Sequence, residues 1–275
     1  YFALCCDFML LVMSSKNLMA NPHLRAKYVS FLSILAPEDN KPSALNQFQH
    51  ILLERHLFNE ILIEGLIETF IDVEKTGSNN QFYEKFSYRH GVCKIFSFVL
   101  SNSSQKKFDY RGKFIEFLAK KKEKFLHFMF LLLNDLIYLL DEALSKLKDI
   151  KAFEENEANI LNPQEKFEQN KAYEENKRLV STFLLFLNSY YENLDMFSFL
   201  GSETLILEEI REKLVNNLNY TVEALNGQNA LALKTKNMKK LNFDPKLILK
   251  CIIRLYLNLN SFEIFLTNLH QKDHL

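Results

Sequence analysis

Tryptophan is absent from these 275 residues, and only 6 glycines and 5 prolines punctuate them. So few turn residues exclude an all-β fold built from many short strands. Cysteine is scarce too. Cys5, Cys6, Cys93 and Cys251 show no paired spacing, which excludes a disulfide framework. A reduced compartment, cytoplasmic or nuclear, is expected. Net charge is also lacking. Lys and Arg balance Asp and Glu at 34 each, so no field draws the chain to nucleic acid or to an anionic membrane. Nor is there a long hydrophobic run. The oiliest stretch, 125–140, is interrupted by His127, Asn134 and Asp135. A membrane span needs about 20 apolar residues, and a central Asp costs roughly 2.5–3.5 kcal/mol on insertion scales. The chain opens at Tyr1 inside an apolar pattern with no basic region before it. That reads as a piece of a longer protein rather than as a signal peptide.

What is present points to helices. Hydrophobic residues make up 48% of the chain, enough for a sizeable core, and 25 of them are Phe. Asn21-Pro22, Asn162-Pro163 and Asp244-Pro245 each place an Asx cap before a proline at the first helical position. After the last of these, Leu247, Ile248, Cys251, Ile252, Leu255 and Leu259 recur at helical spacing. The pattern predicts helices near 2–18, 22–35, 44–73, 81–101, 109–151, 163–198, 203–225, 245–258 and 261–270. A short extended segment is expected at 231–236, where "LALKTK" alternates. Linkers are expected at 36–43 and 75–80. The polar, acidic stretch 151–176 is either a flexible joint or an exposed helix arm.

Acids inside the apolar run "LLLNDLIYLLDEALSKL", 131–147, pose the main chemical question. Asn134, Tyr138, Asp141, Ser145 and Lys148 share one helical stripe, with Asp135 and Glu142 beside it. Asp135 with Glu142, or Asn134 with Asp141, lies two turns apart, roughly 10 Å, too far to share a proton. A structural role is expected, with Asp141 accepting a hydrogen bond from a neighbouring helix or loop. On that reading Asp141→Leu strands buried donors and costs about 1–3 kcal/mol. The remaining arc is apolar over most of the helix circumference, so this helix needs neighbours on several sides, as in stacked helical repeats.

Other motifs stop short of chemistry. His270 and His274 have zinc-like i, i+4 spacing, and His90 with Cys93 has i, i+3, but each is half a site. "KKKEK" at 120–124 lacks interleaved aromatics and reads as a solvated helix face. No glycine spacing cradles a phosphate. No catalytic, cofactor or metal residue is assigned.

Four stretches carry a family resemblance: "NPHLRAKYV" (21–29), "FIDVEKTGSNNQFYEKFSYRHGV" (70–92), "LLLNDLIYLLDEALSKLKDI" (131–150) and "LNYTVEALNGQNALALKTKNMKKLNFDPKLILKCIIRLYLNL" (218–259). Together, in this order, they resemble the core region of the ubiquitin-chain elongation factors, the U-box ligases of the fourth-enzyme class. The likeness covers nearly the whole chain. It implies an all-α fold, an elongated superhelix of armadillo-like repeats over 1–275, with a possible subdivision near 103–110 and the polar joint at 151–176. It also implies fold-defining rather than reactive roles for Asn21, Pro22, Phe82, Lys85, Phe86, Arg89, Asn134, Asp135, Asp141, Glu142, Gly227, Phe243 and Pro245. "FSFVL" stands where the family often has Trp, and Gln228-Asn229 where Pro-Lys is usual. "HQKDHL" departs from the usual residues before the U-box.

By resemblance, the parent is a ubiquitin ligase, a transferase that extends chains on ubiquitylated substrates for proteasomal degradation. The U-box docks the conjugating enzyme; it and the variable amino-terminal region have no counterpart here. This piece is then expected to have no catalytic site. As a monomer it holds ubiquitylated substrates and an AAA segregase. The residues alone leave open a general armadillo-type adaptor or transport scaffold.

Shape tests the stacked reading. A compact domain of this length has a radius of gyration near ~18–19 Å. A one-dimensional stack exceeds that by several Å in small-angle scattering on a monomer, and stays extended when 151–176 is shortened. A compact value in the intact chain, or on shortening, contradicts the stack.

Overall fold

The computed structural model describes residues 1–36, 45–74, 79–102, 108–226, 235 and 238–262, the side chains of 79–82 and 239 excepted. Every regular element among them is helical. In chain order these are α1 (Phe2–Ser14), α2 (Pro22–Ser33), α3 (Gln47–Leu53), α4 (His56–Asp72), α5 (Asn79–Ser101), α6 (Tyr110–Lys120), α7 (Lys122–Asn156), α8 (Pro163–Leu200), α9 (Ser202–Leu205), α10 (Glu208–Leu225) and α11 (Pro245–Leu259). Short 3-10 turns cover Glu157–Asn159 and Met238–Leu241.

The predicted caps form. The Asn21 carboxamide oxygen accepts from the backbone N–H of His23 at 2.9 Å and Leu24 at 3.2 Å. Asn162 does the same for Gln164 at 3.0 Å, and the Asp244 carboxylate for Lys246 and Leu247. Each cap satisfies donors that a helix start leaves orphaned, worth about 0.5–2 kcal/mol. Proline follows in each case, where its missing N–H costs nothing. Asn46 and Gln49 add a reciprocal capping box at α3.

Three predicted helices are broken. The span 44–73 divides into α3 and α4, where Arg55 caps α4 and its guanidinium pairs with Asp7. The span 109–151 breaks at Lys121, whose backbone leaves the helical region. Buried Phe117 and Leu118 precede the charged run, and the next fully buried side chain is Phe125. No apolar stripe therefore holds the two halves in one line. The span 203–225 divides into α9 and α10. Most of 231–236, and everything beyond 262, lies outside the described residues.

The chain divides into two units. The first comprises Tyr1–Leu131 and Met196–Leu207. Here α4 is buried on several sides, packing against α1, α2, α5 and α6. Gly65 lets α1 approach closely: a Cβ there would sit 2.1 Å from Ser14 Oγ, so the hydroxyl would have to swing away. Phenylalanines fill the core of this unit. Phe114 stacks on Phe197 at 5.1 Å, and Phe96, Phe125 and Phe128 pack around Phe197 at 5.5–6.1 Å. Such pairs add about 0.5–1.5 kcal/mol beyond burial.

The second unit comprises Leu132–Asp195 and Glu208–Leu275. Its packing is pinned by buried hydrogen bonds. Tyr190 Oη on α8 donates to Asp135 of α7 at 3.3 Å. Asn217 Nδ2 on α10 donates to the Leu133 carbonyl at 3.0 Å. Tyr191 and Thr221 share a hydroxyl–hydroxyl bond at 2.5 Å. Asn242 adopts a left-handed φ of 56°, and its carboxamide donates to Ser181 of α8. Asn tolerates that backbone conformation better than most residues.

The buried acid of the apolar run is therefore Asp135, 3% exposed, and not Asp141. Asp141 lies on the surface, where Tyr220 Oη donates to it. That hydrogen bond, helped by burial and the negative charge, pushes the Tyr220 phenol up to about 12. The expected cost moves accordingly. Asp135→Leu removes the buried acceptor of the Tyr190 hydroxyl and lowers unfolding stability by about 1–3 kcal/mol. Asp141→Leu changes it by about 0.5 kcal/mol or less. Urea unfolding of the two variants checks this, and the reverse order contradicts it.

Candidate functional site

The strongest concentration of charge lies where α4 ends. Helix C-termini leave carbonyls without donors and carry a partial negative charge, so cations gather there. Arg89 on α5 meets this end with no solvent exposure. Its Nε donates to the Phe70 carbonyl at 3.0 Å and Nη2 to Glu74 at 2.7 Å. The guanidinium also lies 4.4 Å over the Phe70 ring. Buried Lys85, one turn earlier on α5, donates to both Glu74 oxygens at 3.1 and 3.2 Å. On the same end, Asp72 accepts Arg25 Nη2 at 2.7 Å and Lys16 at 3.0 Å.

These carboxyls are held ionised. Burial alone raises both Asp72 and Glu74, but the cations outweigh it and leave each below its ordinary value. A depressed carboxyl stabilises the fold fully above its unfolded pKa and loses that contribution as pH falls through the folded one. The cluster is thus complete at neutral pH. Its carboxylates are committed to cations, which suits holding helices together and not moving protons.

Elsewhere the charges are engaged as well. Lys124 bonds Glu64 at 2.8 Å and also pairs with Glu68, while Lys121 reaches Glu64 at 3.4 Å. The run 120–124 is thus partly a seam onto α4 rather than a wholly solvated face. Such half-exposed pairs contribute little individually. Burial depresses His90 to about 4, with Lys94 adding to the shift, so the imidazole is neutral at physiological pH. Among the described residues, no three His, Cys, Asp or Glu side chains converge to hold a metal ion. His270 and His274 lie outside the description. All four cysteines are free thiols, and only Cys5 is exposed. No helix among the described residues is long and apolar enough to cross a membrane.

The residues singled out by sequence fall into distinct settings. Asn21 and Pro22 start α2, and Pro245 starts α11 behind the Asp244 cap. Lys85, Phe86 and Arg89 form one buried row on α5, and Phe243 is buried before α11. Of the four polar positions in the apolar run, Asp135 alone is buried. Asn134 and Asp141 are exposed, and half-buried Glu142 reaches Lys146 at 3.9 Å. Gly227 and the Phe82 side chain lie outside the described residues. The partners Asp72, Glu74, Arg25, Tyr190 and Asn217 were not foreseen. The available signal was an arginine among apolar positions: Arg25 precedes Ala26 and shares a face with Val29 and Leu32.

Comparison with known proteins places this architecture. A family model described as the ubiquitin elongating factor core matches residues 1–273. The chain is 32% identical over 264 residues to a probable ubiquitin conjugation factor E4 of Arabidopsis thaliana, covering 92% of this chain and 24% of that protein. It is 29% identical over 270 residues to the E4 ubiquitin-protein ligase UFD2 of Saccharomyces cerevisiae, covering 95% and 27%. Ubiquitin conjugation factor E4 A of Rattus norvegicus is 32% identical over 276 residues, covering 94% and 25%. The chain spans about a quarter of the length of these relatives. With a match running almost end to end over an all-helical fold, the chain belongs to the ubiquitin elongating factor core family.

Proposed function

We propose that this chain is the scaffolding core of a ubiquitin ligase that lengthens ubiquitin chains on substrates already ubiquitylated, marking them for proteasomal degradation. The observation that carries the reading is the family match over residues 1–273. The chemistry of the described residues agrees with a holding role. The carboxylates at the α4 end are paired with cations, and the half-buried His90, depressed to about 4, is neutral at physiological pH. In this reading the helices continue into an armadillo-like superhelix. Its surface positions ubiquitylated substrate and an AAA segregase relative to a U-box, which docks the conjugating enzyme. The work takes place in the cytoplasm, the nucleus or both.

Reconstitution with activating enzyme, conjugating enzyme and a mono-ubiquitylated fusion tests this. The 275-residue chain alone gives no chain growth above a control without ligase. The full reading frame that encodes it lengthens the chains. Deleting this core from the full protein slows chain growth at least about tenfold, equivalent to ~1.4 kcal/mol. Ubiquitin discharge from the conjugating enzyme onto free lysine persists in that deletion, because docking is untouched. Chain growth by the core alone overturns the scaffold assignment. No growth by the full protein overturns the ligase reading and leaves a general adaptor.

A further inference from the structure

We propose that the tip of the α7–α8 hairpin is a docking groove for a basic, extended peptide segment of a partner protein. The groove lies between the last turns of α7 and the first turns of α8 and encloses about 850 Å³. Its lining includes the rings of Phe153 and Tyr173, packed at 4.7 Å. Lys177 lies 4.7 Å over the Tyr173 ring, and the Tyr173 hydroxyl donates to Glu154 at 3.1 Å, so this floor is fixed from two sides.

The lining chemistry selects the occupant. It offers two carboxylates, Asp149 and Glu165, and no Lys or Arg. Of the lysines in this hairpin, Lys146 pairs with Glu142, Lys151 with Glu155 and Lys177 with Glu174, while Lys148, Lys166 and Lys171 lie outside the lining. Asp149 and Glu165 have no cationic partner among the described residues. Residues 151–176 carry seven carboxylates against three lysines. The α7 C-terminus adds partial negative charge, and Glu165 in the first turn of α8 offsets the positive end facing it. A cation is therefore favoured in the groove. Five carboxamides stand in the lining; Asn162 caps α8, Asn156 donates to the Ala152 carbonyl and Gln169 to Glu165, which leaves Asn159 and Asn176 to donate to and accept from an extended peptide backbone. At the lip, Leu161 lines the groove and is 91% exposed. It is an apolar anchor set in a charged rim, the usual anatomy of a contact patch. The occupant is thus a segment with Lys or Arg flanking an aliphatic residue. This inference stands independently of the ubiquitin reading.

Fluorescence anisotropy with a labelled nonapeptide carrying Lys-Leu-Lys at its centre tests the groove on the intact chain. Saturable binding is expected at low salt, weakening about tenfold or more at 0.3 M salt as the charges are screened. Asp149→Asn with Glu165→Gln weakens it about tenfold, and Leu161→Ser about fivefold, as contacts worth ~1 kcal/mol each are lost. All three positions are on the surface, and unchanged thermal melting confirms that the variants fold. A Glu-Leu-Glu peptide binding equally well, or no binding, or indifference to the charge-neutralising pair, overturns the proposal. A doubled molar mass in light scattering that Leu161→Ser abolishes assigns the groove to a second copy instead, and also overturns it.

Discussion

A guanidinium taken wholly out of water has to be met by protein, and Arg89 meets that demand at the end of α4. The C-terminal end of α4 supplies the Phe70 carbonyl, the Phe70 ring face and the Glu74 carboxylate together. Desolvating a charge costs several kcal/mol unless such partners are in place. The register of α5 against α4 is therefore fixed by where α4 stops. Arg25 imposes the same condition from α2 through Asp72. Two helices, α2 and α5, thus converge on the end of α4.

The second unit solves the same problem with neutral donors. Where its helices meet one another they bury polar side chains away from water. Asp135, Asn217 and Thr221 each find a partner on a neighbouring helix. Burying these groups without partners would cost more than the bonds contribute, and only a narrow set of helix placements satisfies all of them. A framework fixed in this way can hold other proteins at set positions. That property suits the holding role proposed for the chain.

Much of the fold was legible in the sequence because its boundaries are local. An Asx residue before a proline specifies a helix start whatever lies around it, and all three such pairs formed as read. The helix breaks were harder. Whether Lys121 continues or interrupts a helix depends on how the apolar faces on either side of it, Phe117 and Leu118 before and Phe125 after, pack on the rest of the fold, which local pattern does not reveal. The acids of the apolar run show the limit most clearly. Asp135 and Asp141 lie on adjoining stripes, and a helix with so little polar surface gives no sign of which stripe faces solvent. The neighbours decide, and the decisive ones are Tyr190 and Tyr220, 55 and 79 residues away in sequence. Arg89 was visible as part of a family motif, but its partner Glu74 was not.

The account stands on the coupling between a buried cation and the carboxylate that meets it. A double-mutant cycle with Arg89→Met and Glu74→Gln, read by urea unfolding at neutral pH, measures that coupling directly. Glu74 is 44% exposed and also bonds Lys85, so the coupling belongs toward the lower part of the range for contacting residues. The expected value is about 1–2 kcal/mol, with the double variant more stable than the two single losses added together. A cycle that closes additively, within about 0.3–0.5 kcal/mol, would contradict the claim that this contact sets the join between α4 and α5.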